Sequence, residues 1–277
     1  MGGTERLRAW LRGSERFGPE IARTLAHATP GRQRGPPLCR GLGGRYGPPA
    51  MPEDDPRFHG LYGIAGPRGP GPFEERRFQT LATADALLEA GVPVLQLRDK
   101  ASDGRELVQT ARLLAARAHA RGALFLVNDR LDVALLAGAD GVHLGQDDLS
   151  VEDVRRVLSA LGRTRARFVV GLSTHDLQQV RAGVRQQPDY LGFGPVFPTS
   201  TKPDALAPRG IARLAEAVEA AGSLPVVAIG GLGLNNVGEV AAAGAAMAAV
   251  ISDLAGAVDP AGRARAIQLR FEACARR

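Results

Sequence analysis

From Gly60 to the C-terminus one pattern recurs: a short apolar run, a polar turn, then a segment whose apolar positions recur at helical spacing. The apolar runs are 61–66 (LYGIAG), 92–99 (VPVLQLRD), 124–129 (LFLVND), 141–146 (GVHLGQ), 167–173 (RFVVGLS), 190–197 (YLGFGPVF), 225–231 (PVVAIGG) and 247–252 (MAAVIS). Short runs rich in branched side chains, closed by turn residues, read as buried strands. Helical spacing is predicted over 73–90, 104–121, 151–161, 176–187, 209–221, 235–243 and 260–275, with about two turns more at DVALLAGA (132–139). Ala-Gly pairs at 90–91, 137–138 and 243–244 fit helices that end at glycine before the next strand.

Eight strands alternating with helices over about 215 residues predict an α/β chain folded as a (β/α)8 TIM barrel. The rival is an open, doubly wound sheet. No G-x-G-x-x-G turn follows the first strand, and IAGPRGPGPF is too rich in proline to open a helix directly, which favours the barrel.

Seven of the eight strands are apolar until their C-terminal ends, where chemistry sits in such barrels. There the chain places Gln96, Arg98, Asp99 and Lys100; Asn128 and Asp129; Gln146 and Asp148; Ser173, Thr174 and His175; Thr199, Ser200, Thr201 and Lys202; Gly230 and Gly231; Ser252 and Asp253. Parallel strands joined by helices bring these ends to one edge, so Asp129 and Asp148 are expected to face one another. Two carboxylates beside amide oxygens are hard ligands that suit Mg²⁺ with a phosphate substrate. The plainer alternative is that they cap the following helices, for which Asp147 is the better candidate. Gln96, Arg98 and Lys100 alternate, so they share a face and suit a di- or triphosphate; an interior salt bridge is the alternative. PTSTK (198–202) offers hydroxyls and a lysine to a phosphate, although a Ser/Thr-rich turn is as ordinary a reading. The glycines of IGGLG (229–233) and the VIS end (250–252) allow close approach of an anion, or serve only the turns. His143, inside a strand, reads as a hydrogen-bonded core residue, while His175 fits a proton-transfer or a structural role equally.

Composition sharpens two of these points. Of 35 basic residues only Lys100 and Lys202 are lysine, and both follow strand ends. A compact ammonium reaches a phosphate oxygen where a planar guanidinium does not fit. The net charge of +6 first suggests nucleic acid, but residues 1–50 hold nine Arg and three Glu, so the remaining 26 basic and 26 acidic groups cancel. Residues 1–57 are an Arg/Gly/Pro-rich extension too poor in apolar surface to offset ordering, and disorder is expected there; 58–277 is the catalytic barrel domain. A translated extension and a true start at Met51 both stay open, as does nucleic-acid binding by residues 1–50. For the barrel no nucleic-acid or membrane partner is expected, since no run approaches the roughly 18 apolar residues of a span. Cys39 and Cys274 form no metal or redox motif, and a reduced, cytoplasmic protein is expected, with homo-oligomerisation open.

QLRDK, VNDR, GVHLGQDDL, GLSTH, DYLGFGPVFPTSTKPDA, AIGG and VIS follow one another in this order. In that order and spacing the chain, over about residues 60–270, resembles the thiamine phosphate synthases. The resemblance implies a transferase of thiamine biosynthesis that joins 4-amino-2-methyl-5-hydroxymethylpyrimidine diphosphate to 4-methyl-5-(2-phosphoethyl)-thiazole, releasing diphosphate. It implies that Gln96, Arg98, Lys100 and Asn128 hold the diphosphate and that Asp129 and Asp148 bind Mg²⁺. Ser173 would contact the diphosphate or the pyrimidine, Thr199 and Thr201 the thiazole phosphate, and Lys202 would bridge toward the leaving group. Gly231, Ile251 and Ser252 would complete the phosphate site through backbone N–H groups. Arg98, Lys100, Ser173 and Lys202 are the catalytic candidates; Asp99 and Ser200, in the same clusters, count among the substrate-binding ones. The first strand, LYGIAGPRG, departs from the family's usual ending, as does the alanine-rich eighth strand. Two rivals are a thiazole tautomerase on the same barrel, which has no use for the diphosphate and metal residues, and a non-catalytic phosphate-ligand sensor.

Overall fold

The computed structural model describes residues 58–163, 168–199, 207–255 and 257–275. The N-terminal extension, with its expected disorder, lies outside the described residues, as do Ser200, Thr201 and Lys202. Eight strands form β1 (Gly60–Ala65), β2 (Val94–Leu97), β3 (Leu124–Asn128), β4 (Gly141–Leu144), β5 (Val169–Thr174), β6 (Tyr190–Phe193), β7 (Val226–Ile229) and β8 (Met247–Val250). Neighbours pair in parallel in sequence order, and β8 returns to β1 with Gly60 opposite Met247. The barrel is closed, which excludes the open-sheet rival.

The helices are α1 (Phe73–Glu89), α2 (Gly104–Ala120), α3 (Leu131–Ala137), α4 (Val151–Ala160), α5 (Leu177–Gln186), α6 (Gly210–Ala221), α7 (Val237–Ala242), a single turn α8 (Ser252–Ala255) and α9 (Pro260–Ala275). Their starts follow capping chemistry. Asp103 and Glu106 form a reciprocal capping box at α2, and Asp176 accepts from the Gln179 N–H at α5. Asp147 does not cap α4, contrary to expectation: Ser150 does, its hydroxyl accepting from the Asp153 N–H. At α3 the glycine stop is as expected, Gly138 being left-handed at φ 70°.

Side chains alternate across each strand, so the barrel has two apolar layers. Leu61, Leu95, Leu97, Phe125, Val127, Val142, Leu191 and Ala248 face the helices. Tyr62, Ile64, Val94, Leu124, Leu126, Tyr190, Val227, Met247 and Ala249 cluster separately and fill the interior. Toward the N-terminal face two aspartates lock neighbouring strands. Asp140, just before β4, accepts from the Phe125 N–H, and Asp189, just before β6, accepts from the Val170 N–H.

Several strands stop short of the predicted ends. β2 ends at Leu97, leaving Arg98 to Lys100 in a loop; β4 ends at Leu144, and β7 at Ile229. Beyond Ile229 the backbone turns left-handed at Gly230 (φ 99°) and Gly231 (φ 65°), which no strand can follow.

Candidate functional site

The interior layer stops short of the C-terminal mouth and leaves a cavity there. Gln96 and Arg98 from β2 and its loop, Asn128 from β3, His143 from β4, Ser173 and Thr174 from β5 and His175 just after it line one side. Gly194, Pro195 and Thr199 after β6, Gly230, Gly231 and Leu232 after β7, and Ile251 after β8 line the other. Most of the residues expected at the site therefore meet at one opening. Ser252 opens α8 directly after Ile251.

Beside the opening stand the charged groups. Lys100 Nζ lies 3.2 Å from an Asp129 carboxylate oxygen. Asp148 lies exposed at the rim, and its carboxyl is raised above the usual range, first by partial desolvation and then by the neighbouring Asp129 carboxylate; the hydrogen bond from the Gly145 N–H and the charge of Lys100 oppose the shift. Asp129 and Asp148 thus do face one another, as the strand order predicts. Two adjacent carboxylates with one nearby ammonium leave a net negative pocket of oxygen ligands, the donor set of a hard divalent cation. Among the described residues no group of three or more His, Cys, Asp or Glu side chains gathers that could hold a metal, so a cation here would need oxygens from a substrate or water as well.

Two local features shape this corner. Asp129 adopts the left-handed conformation, φ 64°, while its N–H donates to the His143 carbonyl at 2.7 Å. That conformation is costly for a residue with a Cβ, and aspartate is among the few that tolerate it. The loop after β2 is held from below: the Asp99 carboxylate accepts from the N–H groups of Ala101 and Ser102 and from the Ser102 hydroxyl. Ser102 Oγ and Glu106 in turn accept from Arg76, whose side chain is almost fully buried. Asp99, expected among the substrate-binding residues, holds this turn with both its oxygens and lies outside the cavity lining.

Gly231 has a structural reason to be glycine besides any approach to an anion. Its φ is 65°, and a Cβ there would lie 2.4 Å from the Pro198 carbonyl. His175 Nδ1 donates to the Gly194 carbonyl oxygen at 2.7 Å, which fixes the ring proton on that nitrogen. Gln146 sits outside the cavity lining, with its amide directed at the Ser173 carbonyl.

Sequence reasoning missed two tyrosines. Tyr62 and Tyr190 line the floor of the cavity, fully buried, with their hydroxyls 2.7 Å apart. Within apolar runs they look like core residues, and only closure of the barrel brings β1 and β6, which are not neighbours, face to face across its interior. His143, expected to be hydrogen-bonded in the core, is hydrogen-bonded but also lines the cavity.

A family model for thiamine monophosphate synthase matches residues 69–254. A thiamine-phosphate synthase from Anaeromyxobacter dehalogenans is 43% identical over 217 residues, covering 78% of this chain and 90% of that protein. One from Halalkalibacterium halodurans is 39% identical over 202 residues, covering 73% and 90%. The solved structure of a thiamine phosphate pyrophosphorylase from Pyrococcus furiosus superposes with a TM-score of 0.66 at 31% identity, covering 79% of this chain and 98% of that one. With the closed barrel and the cavity at its mouth, these matches establish that the chain belongs to the thiamine monophosphate synthase family.

Proposed function

We propose that the chain joins 4-amino-2-methyl-5-hydroxymethylpyrimidine diphosphate to the thiazole phosphate, giving thiamine phosphate and diphosphate. The observation that carries this reading is the corner where Lys100, Asp129 and Asp148 meet beside a cavity lined by Gln96, Arg98, Asn128 and Ser173. In this reading Gln96, Arg98, Lys100 and Asn128 bind the diphosphate, and Asp129 and Asp148 hold Mg²⁺. A bound Mg²⁺ would offset the negative charge that gathers on the leaving diphosphate.

The bond from the pyrimidine methylene carbon to the diphosphate oxygen breaks, and its electron pair leaves with that oxygen. The thiazole nitrogen lone pair forms the new C–N bond, through a cation stabilised by the pyrimidine. Arg98 and Lys100 favour this departure because their charge interacts more strongly with the leaving group than with the ground state. Ring-nitrogen attack needs no strong general base, so the thiazole mainly has to be held in line. We assign that holding to Thr199, Ser200, Thr201, Gly231, Ile251 and Ser252, with Lys202 reaching toward the diphosphate. The reading also places the enzyme in the cytoplasm, on a chain with two cysteines far apart in sequence.

The test is an end-point assay of the full chain with both substrates and Mg²⁺, reading thiamine phosphate, with Asp129→Ala in parallel. Product from the wild type and a large loss with Asp129→Ala supports both reaction and metal site. Folded wild-type protein that makes no product, with or without Mg²⁺, overturns the reading.

A further inference from the structure

Beneath the mouth one hydrogen-bonded chain crosses the barrel interior through five strands. Gln96 Nε2 on β2 donates to the Tyr62 hydroxyl on β1 at 2.8 Å. The Tyr62 hydroxyl is 2.7 Å from that of Tyr190 on β6, which is 2.7 Å from His143 Nδ1 on β4. His143 Nε2 is 2.8 Å from Ser173 Oγ on β5, at the cavity wall.

The barrel is built around this chain. A Cβ on Gly171 would lie 2.1 Å from Tyr190 Cζ and 2.4 Å from its hydroxyl oxygen. A Cβ on Gly192 would come within 3.2 Å of the His143 ring. Two adjacent strands thus leave out side chains where the tyrosine and the imidazole need room. Neither glycine has a positive φ, so space and not backbone conformation is what they supply.

Counting protons gives the chain a direction. Both phenols are fully buried, and burial raises both well above the usual tyrosine range, so each stays protonated and donates once. The Tyr62 oxygen accepts from Gln96, and the Tyr190 oxygen is the acceptor within 2.7 Å for the Tyr62 hydrogen, as His143 Nδ1 is for that of Tyr190; a buried O–H left without an acceptor is costly, which sets this order. An accepting Nδ1 leaves the imidazole proton on Nε2, which donates to Ser173 Oγ. The Ser173 hydrogen is then the one left over, at the cavity.

We propose that Tyr62, Tyr190 and His143 are positioning residues that fix Ser173 as a hydrogen-bond donor to an acceptor atom of the pyrimidine diphosphate. This rests on the reaction proposed above. A hydroxyl whose hydrogen is already directed needs no reorientation when substrate arrives, which is the value of a preorganised donor.

The test combines kinetics with spectroscopy on the full chain. Steady-state rates with both substrates are compared for wild type, Tyr190→Phe, Ser173→Ala and the double variant, and the His143 tautomer is read from the ¹⁵N shifts of its ring. Tyr190→Phe is expected to lower kcat/KM for the pyrimidine diphosphate about ten-fold, the worth of roughly one hydrogen bond, and to leave the KM for the thiazole phosphate unchanged. In the Ser173→Ala background the same substitution is expected to cost less than about two-fold, since its effect runs through Ser173. Wild-type His143 is expected as the Nε2–H tautomer. Equal losses in both backgrounds, no loss in either, or an Nδ1–H tautomer overturn the proposal. If Tyr190→Phe does not fold, Tyr62→Phe completes the same cycle. Absence of wild-type turnover would sink the reaction instead, and the tautomer would still report on the chain.

Discussion

Asp129 keeps its carboxylate 3.2 Å from Lys100 Nζ while its own backbone sits at φ 64°. The side chain at the cation corner is thus carried on a strained residue. Left-handed backbone costs a residue with a Cβ about 1–2 kcal/mol, and glycine escapes that cost but loses roughly 0.4–1 kcal/mol through its freer unfolded chain. The balance favours glycine by no more than about 1.6 kcal/mol, so Asp129→Gly is expected to melt within a few degrees of wild type. Asp129→Ala keeps the strain and loses the carboxylate, and is expected to melt lower. Both should lose about 100-fold or more in turnover, because both remove the same group from the developing charge. Thermal melts and the thiamine phosphate assay on the two variants check this; a glycine variant that retains activity would contradict it.

Gly171 sits inside the barrel, and any side chain there meets Tyr190. Cβ distances of 2.1–2.4 Å to three Tyr190 ring and hydroxyl atoms cannot be relieved by a small torsion, because Tyr190 is itself fully buried. Gly171→Ala is expected to cost about 1–3 kcal/mol, the usual range for overpacking. Tyr190→Phe should not rescue it, since Cζ and Cε1 remain, whereas Tyr190→Leu should recover part of the loss. Chemical denaturation of the single and double variants measures both effects.

These two residues mark where sequence reading reached its limit. The barrel, its element order and the polar mouth followed from short apolar runs that give way to polar residues such as Gln96, Asn128 and Ser173, because local pattern encodes them. The left-handed turn at Asp129 and the gap that Gly171 leaves for Tyr190 did not, because each is defined by contacts between residues distant in sequence. Tyr62 and Tyr190 resemble ordinary core residues along the chain and differ only in where their hydroxyls point. The turn role of Asp99 was hidden for a related reason: it shares a cluster with Arg98 and Lys100, yet a short side chain after a strand end readily bonds its own turn. Asp147 failed as a cap because Ser150 lies directly before the helix.

At the opposite face of the barrel, Asp189 is 1% exposed and accepts from both the Val170 N–H and Arg155, which is itself largely buried. Removing the carboxylate leaves the Val170 N–H without its acceptor and the Arg155 charge without its anion, with the Phe168 carbonyl still accepting from the guanidinium. Asp189→Ala is expected to cost about 3–5 kcal/mol, the range for breaking a buried pair from one side. Asp140 has the same place before β4, but its side chain is about a third exposed and its partner is His119. Asp140→Ala should therefore cost distinctly less, and neither change should alter KM, because both lie far along the strands from the mouth. Denaturant titration and steady-state kinetics of the two variants separate these outcomes.

His119 gives the fold a pH dependence of predictable sign. Its ring lies 2.8 Å from the Asp140 carboxylate, and the hydrogen bond to that carboxylate raises its pKa above the ordinary 6.5, against a smaller opposing effect of burial. A histidine whose pKa is raised in the folded state binds its proton more tightly there than when unfolded. The stabilisation is fully present below 6.5 and fades as pH rises through the folded-state value. Both side chains are about a third or more exposed, so solvent screens the pair and the effect is small. His119→Gln should consequently lower the melting temperature near pH 5.5 and leave it almost unchanged near pH 8.5, at about 0.1 M salt, with the difference shrinking as salt is raised. Melting curves of wild type and variant across that range decide the matter. A gap that widens toward alkaline pH would mean that the neutral ring, and not the ion pair, is what holds Asp140.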